Sequence, residues 1–279
     1  MKFGIKTNPQ HTTWDAMLAT WQRADSIDIF ESAWVFDHFY PIHGDPNGPC
    51  LEGWTSLAAL AQATERIRVG TMVNGMPYRH PAITANMAAT VDIVSGGRLN
   101  LGLGAGWYDT EADAYGISLG SSLGDRMDMF DESVEIIAGM LTNESTTLHG
   151  KHYQVTDARC EPKGPQRPRP PIVIGGGGEK RTLKTVARFA DHWNSPPIDV
   201  EVWRRKRDVL GEHCAAYGRD PEMIHKSVMI RFDATAPDGL CQTIETYASA
   251  GADGFIVNLA SPHDPGHVEA AADQVSKLG

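Results

Sequence analysis

Short apolar runs alternate along the chain with longer stretches whose apolar positions recur every three or four residues. Phe3–Thr7 reads as a first strand and Trp14–Ile29 as a helix; Ala33–Phe36 is a second strand, followed by a helix over Trp54–Thr64. Ile67–Val73 is a third strand. The helix after Pro81 sets Ile83, Met87, Val91 and Val94 on one predicted core face. Arg98–Gly104 is a fourth strand, and a longer helix carries Met127, Phe130, Val134, Ile137 and Leu141. Pro171–Ile174, His192–Ser195, Ile224–Phe232 and Gly254–Leu259 follow as strands five to eight. Their helices are centred on Leu183–Ala190, Val200–Tyr217, Leu240–Ser249 and Val268–Leu278.

Eight strand–helix units in 279 residues predict a parallel sheet with crossover helices, closed as a (β/α)8 TIM barrel, a fold of about 250 residues. A doubly wound sheet is the alternative, but it more often uses five or six strands. The fourth strand fits a barrel. Leu99, Leu101 and Leu103 share one face, while Asn100, Gly102 and Gly104 line a cramped interior. The rhythm breaks over about 142–170, between the fourth helix and the fifth strand. There Thr146–Leu148 and His152–Val155 flank His149-Gly150-Lys151 as a small hairpin, and a proline-rich stretch from Glu161 to Pro171 follows. The whole chain, 1–279, is thus expected to be one barrel domain with an insertion. That insertion is either a lid over the barrel mouth or a surface excursion.

Composition narrows the class of partner. Hydrophobic residues make up 41% and charged residues 22%, an ordinary globular balance that excludes a disordered chain. The formal charge of −10 disfavours nucleic acid. Cys50, Cys160, Cys214 and Cys241 form no CxxC pair and read as reduced thiols. No run approaches the roughly 18 apolar residues of a membrane helix, and the N-terminus lacks a secretory h-region. A soluble, cytoplasmic protein without membrane contact is expected. The eleven histidines form neither HxH nor HExxH, so no metal site is expected. Lys6 and Lys226 lie on strands, where a Schiff-base lysine would have to emerge, but nothing else in the sequence supports that chemistry.

Barrel chemistry sits at the C-terminal ends of the strands. Gly175-Gly176-Gly177-Gly178 follows the fifth strand and precedes a helix predicted to open at Glu179-Lys180-Arg181. Its backbone N–H groups and the helix dipole favour a phosphate; the plainer reading is a flexible turn. Gly104-Ala105-Gly106, closing the fourth strand, should open onto the same pocket. Asp37-His38 ends the second strand, where a histidine can act as acid, base or donor, or only as a structural hydrogen-bonding group. Val73-Asn74-Gly75 allows a kink or bulge after the third strand. Arg79 beyond it either binds an anion or caps carbonyls.

Three stretches resemble the bacterial luciferase-like flavin and deazaflavin superfamily: Ser32–Phe39, Tyr78–Trp107 and Ile174–Asn194. Together they look like the actinobacterial subgroup thought to use coenzyme F420. The resemblance implies a (β/α)8 barrel with a tricyclic ring in its mouth, lying against a bulge of the third strand. By position the family's non-prolyl cis peptide falls at Met72-Val73, with Asn74 next to it. The cofactor phosphate would lie between Gly104–Gly106 and Gly175–Gly178, Asp37 would touch the ring, and His38 matches the family's proton-transfer or substrate-orienting histidine. Trp107 stands where alcohol- and sugar-phosphate-oxidising relatives carry a glutamate, and Ile42 where they carry a tryptophan. Ser195–Ile198 lacks the lysines of the sugar-phosphate enzymes, which puts those two substrate classes in doubt. The expected function is an F420-dependent oxidoreductase moving hydride to or from a small organic substrate in a pocket made apolar by Trp107, Met76 and Tyr78. An FMN-dependent monooxygenase and a non-catalytic flavin-binding protein are the alternatives. Relatives are often homodimers.

Overall fold

Eight parallel strands close on themselves in a computed structural model that describes residues 1–278. In chain order the elements are β1 (Lys2–Thr7), α1 (Trp14–Asp25), β2 (Phe30–Val35), α2 (Gly53–Gln62), β3 (Arg68–Thr71), β4 (Asn74–Gly75), α3 (Pro81–Val94), β5 (Leu99–Gly104), α4 (Asp109–Ala114) and α5 (Leu123–Thr142). Then come β6 (Thr146–His149), β7 (Gln154–Ala158), β8 (Ile172–Gly175), α6 (Thr182–Phe189), β9 (His192–Ser195), α7 (Val200–Ala216), β10 (His225–Arg231), α8 (Gly239–Ser249), β11 (Gly254–Leu259) and α9 (Pro265–Val275). The sheet runs β3-β2-β1-β11-β10-β9-β8-β5, and pairing of Val69 with Leu99 and Gly70 with Asn100 closes the ring. This is the predicted (β/α)8 barrel. Among the described residues no helix is long and apolar enough to cross a membrane.

Helix starts are capped by side chains that satisfy otherwise orphaned N–H groups. Thr13 Oγ1 accepts from Ala16 N, Glu52 from Trp54 N and Thr55 N, and Asp199 from Glu201 N and Val202 N. Leu99, Leu101 and Leu103 are buried under the helices, as their alternation predicts. The lumen is filled by Trp34, Met72, Val173 and Ile256. This plug separates a mouth cavity at the strand C-termini from a basal hollow of about 340 Å³ edged by Lys2, Arg68, His192 and His225.

Three expectations need correction. The stripe Ile83, Met87, Val91, Val94 is only partly the core face of α3, with Val91 buried. Thr84, Ala85, Ala88 and Ala89 take the core side, while Ile83 is 56% exposed and Val94 39%. Small residues fit where α3 meets α5 and the sheet; of the large ones Val91 is buried with them and Met87 packs against the core, while Ile83 and Val94 stay outside. The helix after the four glycines begins at Thr182, three residues later than predicted. The insertion is no lid over the mouth. Its hairpin β6–β7 packs on α5, where Glu132 accepts from Lys151 N, His152 N and Tyr153 N. Its proline-rich arm runs past the start of β5, with Gln166 Nε2 donating to Asp92 Oδ1 and Leu99 O, and no residue of 142–170 lines the mouth cavity.

Candidate active site

The mouth cavity, about 290 Å³, is lined by Lys6, Asp37, His38, His43, Val73 and Trp107, among others. Its chemistry starts from the segment after β2. His38 is held among the rings of Phe36, Tyr78, Trp107 and Tyr108, with centroids 5.0 to 6.2 Å away. Its Nδ1 lies 2.8 Å from Glu111 Oε2, and its Nε2 has no partner among the described residues.

Glu111 comes from α4, six residues without the apolar periodicity of the other helices, which the sequence reading passed over. Its carboxylate is fully buried and receives four donors: His38 Nδ1, Tyr78 OH, Phe39 N and, at 2.9 Å, Tyr40 N. Burial alone would raise its pKa, but the hydrogen bonds from His38 and Tyr78 outweigh that and hold it below the usual carboxylate range. The buried Tyr78 phenol is in turn pushed far up by burial and by its bond to Glu111. An ionised Glu111 fixes the proton of His38 on Nδ1 and leaves Nε2 as the working nitrogen, an acceptor when the ring is neutral and a donor when it is protonated. The signal was an acid four residues beyond the position where the resemblance called for one.

Asp37 is buried beside His38. Its Oδ2 accepts from Arg79 Nη1 at 2.7 Å and Gly75 N at 3.3 Å, while Oδ1 is buried with no partner among the described residues. Burial raises its pKa against the opposing pull of Arg79. Arg79 neither binds a free anion nor caps carbonyls: it bridges Asp37 and the α2 cap Glu52, 2.7 Å from each.

The Met72–Val73 peptide is cis, where the resemblance puts it. Both residues line the cavity. Asn74 does not: its side chain accepts from Trp54 Nε1 at 2.6 Å and donates to Met76 Sδ at 3.3 Å. Met76 is likewise a core residue and not a pocket wall. Val73 stands between the two glycine loops. A Cβ on Gly104 would lie 2.4 Å from Val73 Cγ2, and one on Gly175 would lie 2.8 Å from Val73 Cγ1, so these two glycines admit a side chain as well as leaving backbone bare. Gly106, with φ +77°, reaches the cavity, whereas Ala105 packs toward the core. In the other loop Gly176 is engaged both ways: its N–H donates to Asn194 O, and its carbonyl accepts from Trp193 Nε1. The N–H groups of Gly106, Gly177 and Gly178 have no acceptor among the described residues. Lys206 Nζ sits 2.6 Å from Gly177 O and 3.3 Å from Glu179 Oε1, so its charge beside that loop is shared with an acid.

Lys6 lines the mouth and Lys226 does not. Among the described residues one trio of possible metal ligands occurs, Asp125, Asp128 and His152, on the outer face of α5 and the hairpin. The Lys151 ammonium sits 2.6 Å from Asp125 and 3.7 Å from Asp128, already neutralising that charge.

The sequence model of a family described as luciferase-like monooxygenase matches residues 1–275. An uncharacterised protein of Mycobacterium tuberculosis is 33% identical over 188 residues, 65% of this chain and 64% of its own. An F420-dependent hydroxymycolic acid dehydrogenase from the same organism is 29% identical, over 80% of this chain and 60% of its own. The chain thus spans less than two thirds of the length of these curated relatives. Among solved structures, an F420-dependent secondary alcohol dehydrogenase in complex with an F420-acetone adduct superposes with a TM-score of 0.88 at 19% identity, covering 100% of this chain and 99% of its own.

Proposed function

This chain belongs to the luciferase-like monooxygenase family, and on that footing we propose that it is an oxidoreductase that binds coenzyme F420 in the barrel mouth and acts on a small organic molecule. The observation that carries the reading is the pairing of His38 with buried Glu111 over a cavity that also holds an unpartnered carboxylate oxygen of Asp37. When bound, F420 supplies the hydride chemistry at its deazaflavin ring.

The residues present fit such a group. Asp37 Oδ1 is a buried acceptor in need of a donor, which a ring N–H or O–H would provide. Met72, Val73 and Phe36 give the apolar wall. The free N–H groups of Gly106, Gly177 and Gly178 suit a phosphate. His38 Nε2 holds or delivers the proton that must accompany hydride movement at a carbon–oxygen or carbon–nitrogen double bond, and Glu111 keeps the ring aimed. The rings around it leave His38 only 8% exposed.

Titration of the apo protein with F420 and with FMN, followed by absorbance and fluorescence, tests the assignment. Micromolar binding of F420 is expected. Binding of FMN alone would favour the oxygen-using reading that the family description suggests, and cofactor binding without turnover of any substrate would favour a flavin carrier.

A homodimer is part of this proposal. Ile83 and Met87 of α3 and Ala58 of α2 line an open apolar groove of about 650 Å³ that also contains Trp54 and Arg79. A second copy covering this groove would bury Ile83 and would brace the Arg79 bridge from outside. Sedimentation of wild type and Ile83→Asp tests it: the dimer is expected to dissociate in the variant, and a monomeric wild type would end the idea.

A further inference from the structure

A second cavity, about 320 Å³, adjoins the first at the ends of β1, β10 and β11 and shares His43 with it. This side of the mouth lies across the barrel from β5 and β8, the strands that carry the glycine loops. Its lining includes Asn8, Gln10, His43, Arg231, Asn258 and Ser261, and no carboxylate.

Among the described residues no carboxylate bonds to the Lys6 ammonium or to the Arg231 guanidinium. Lys6 is buried, and among the described residues Asn8 Oδ1, at 2.7 Å, is the one hydrogen-bond partner of its ammonium. Among the described residues the exposed guanidinium of Arg231 makes no hydrogen bond or ion pair. Asp233, two positions on, turns its carboxylate to Thr235 N and Oγ1 at 2.9 and 2.7 Å. The His43 loop is fastened over the cavity: Gln10 Nε2 donates to His43 O at 3.0 Å, and Ile42 N donates to Gln10 Oε1 at 2.8 Å. In a chain with a formal charge of −10, the buried Lys6 ammonium and the exposed Arg231 guanidinium, beside a concave wall without a carboxylate, offer a place for an external anion.

We infer that the substrate carries an oxyanion, a carboxylate or a phosphate, which Lys6, His43 and Arg231 hold in this second cavity while its reacting carbon lies by His38. The inference rests on the proposed function for the place of the reacting centre. Arg231 offers a planar fork that meets two oxygens at once. Lys6 lines the mouth cavity and bonds Asn8, which lines the second, so it faces the part of the substrate that joins the anion to the reacting carbon. Burial lowers its pKa to about 8, and its charge together with those of Arg231 and His38 adds to burial in lowering that of His43. An arriving anion would relieve this crowding of charge.

Calorimetric titration of the apo protein with succinate and, separately, with inorganic phosphate tests the site, with F420 titration run in parallel on wild type, Arg231→Gln and Lys6→Met. One of the two anions is expected to bind wild type and to lose at least about tenfold in affinity in each variant, while F420 affinity in Arg231→Gln stays within about twofold. Which anion binds tells carboxylate from phosphate. No heat from either anion at millimolar concentration, or equal binding by wild type and Arg231→Gln, overturns the inference. So does a loss of F420 affinity in Arg231→Gln, which would assign the arginine to the cofactor. Arginine-dependent anion binding in a protein that ignores F420 would support this site and remove only the cofactor assignment.

Discussion

Glu111 Oε2 lies 2.8 Å from His38 Nδ1, joining a helix beyond the fourth barrel strand to the loop beyond the second. Two elements remote in sequence thereby set the direction of a single imidazole.

Replacing Glu111 by Gln tests that pairing. The carboxylate accepts four donors, and an amide must turn its own N–H against one of them. Turnover is expected to fall about 10- to 100-fold, as for other partners that orient a working histidine, with F420 affinity retained. A kcat equal to wild type would show that His38 needs no such orientation.

Arg79→Met leaves Asp37 buried without its cation. Breaking a buried pair costs about 3–5 kcal/mol, so urea midpoints should drop sharply at pH 7. Asp37 already has its pKa raised in the fold, and loss of Arg79 raises it further. The native state then binds this proton more readily than the unfolded chain, so the deficit should shrink as the pH falls toward 5. A deficit independent of pH would place the damage elsewhere.

Lys6→Met should stabilise the protein near neutrality. The folded pKa of Lys6, about 8, lies below its ordinary 10.5, so between those values the unfolded chain holds the proton more tightly than the native one. Stability owed to a neutral Lys6 is present above about 10.5 and lost as the pH falls through 8. At pH 7 the variant should gain up to roughly 3 kcal/mol, taking about 1.4 kcal/mol per pKa unit, and the advantage should fade toward pH 10. Melting curves at pH 7 and 9.5 decide this; a destabilised variant at pH 7 would contradict it.

Gly104→Ala sets a methyl 2.4 Å from Val73 Cγ2. Overpacking of this kind costs about 1–3 kcal/mol. Val73→Ala removes the obstructing methyl groups, so the cost of Gly104→Ala should be smaller in that background. Denaturation of the four proteins of the cycle measures the coupling; strictly additive losses would mean that the glycine serves something other than Val73.

Much of the barrel was legible because a buried strand shows as a short apolar run between helical repeats. Gly254–Leu259 and His192–Ser195 match residue for residue. The candidate site was legible only in part. Asp37 and His38 were marked by their place at a strand end, but Glu111 sits in a helix of six residues, too short for periodicity to register. Lys6 resembled any strand lysine until the fold turned it toward the mouth. On α3, hydrophobicity was read as burial, yet tight packing selected Ala85, Ala88 and Ala89 for the inside and left Ile83 outside. The proline-rich arm carried no mark of which end of the barrel it would skirt, because its anchors, Asp92 and Leu99, are distant in sequence.

Trp34, Met72, Val173 and Ile256 stopper the barrel midway, and that shuts the upper chamber from below. Whatever settles deepest against the stopper must enter first and depart last, because a later arrival closes the exit above it. Steady-state patterns should therefore be ordered, with the proposed deazaflavin leading and its co-reactant following, and crossing from below is closed to both.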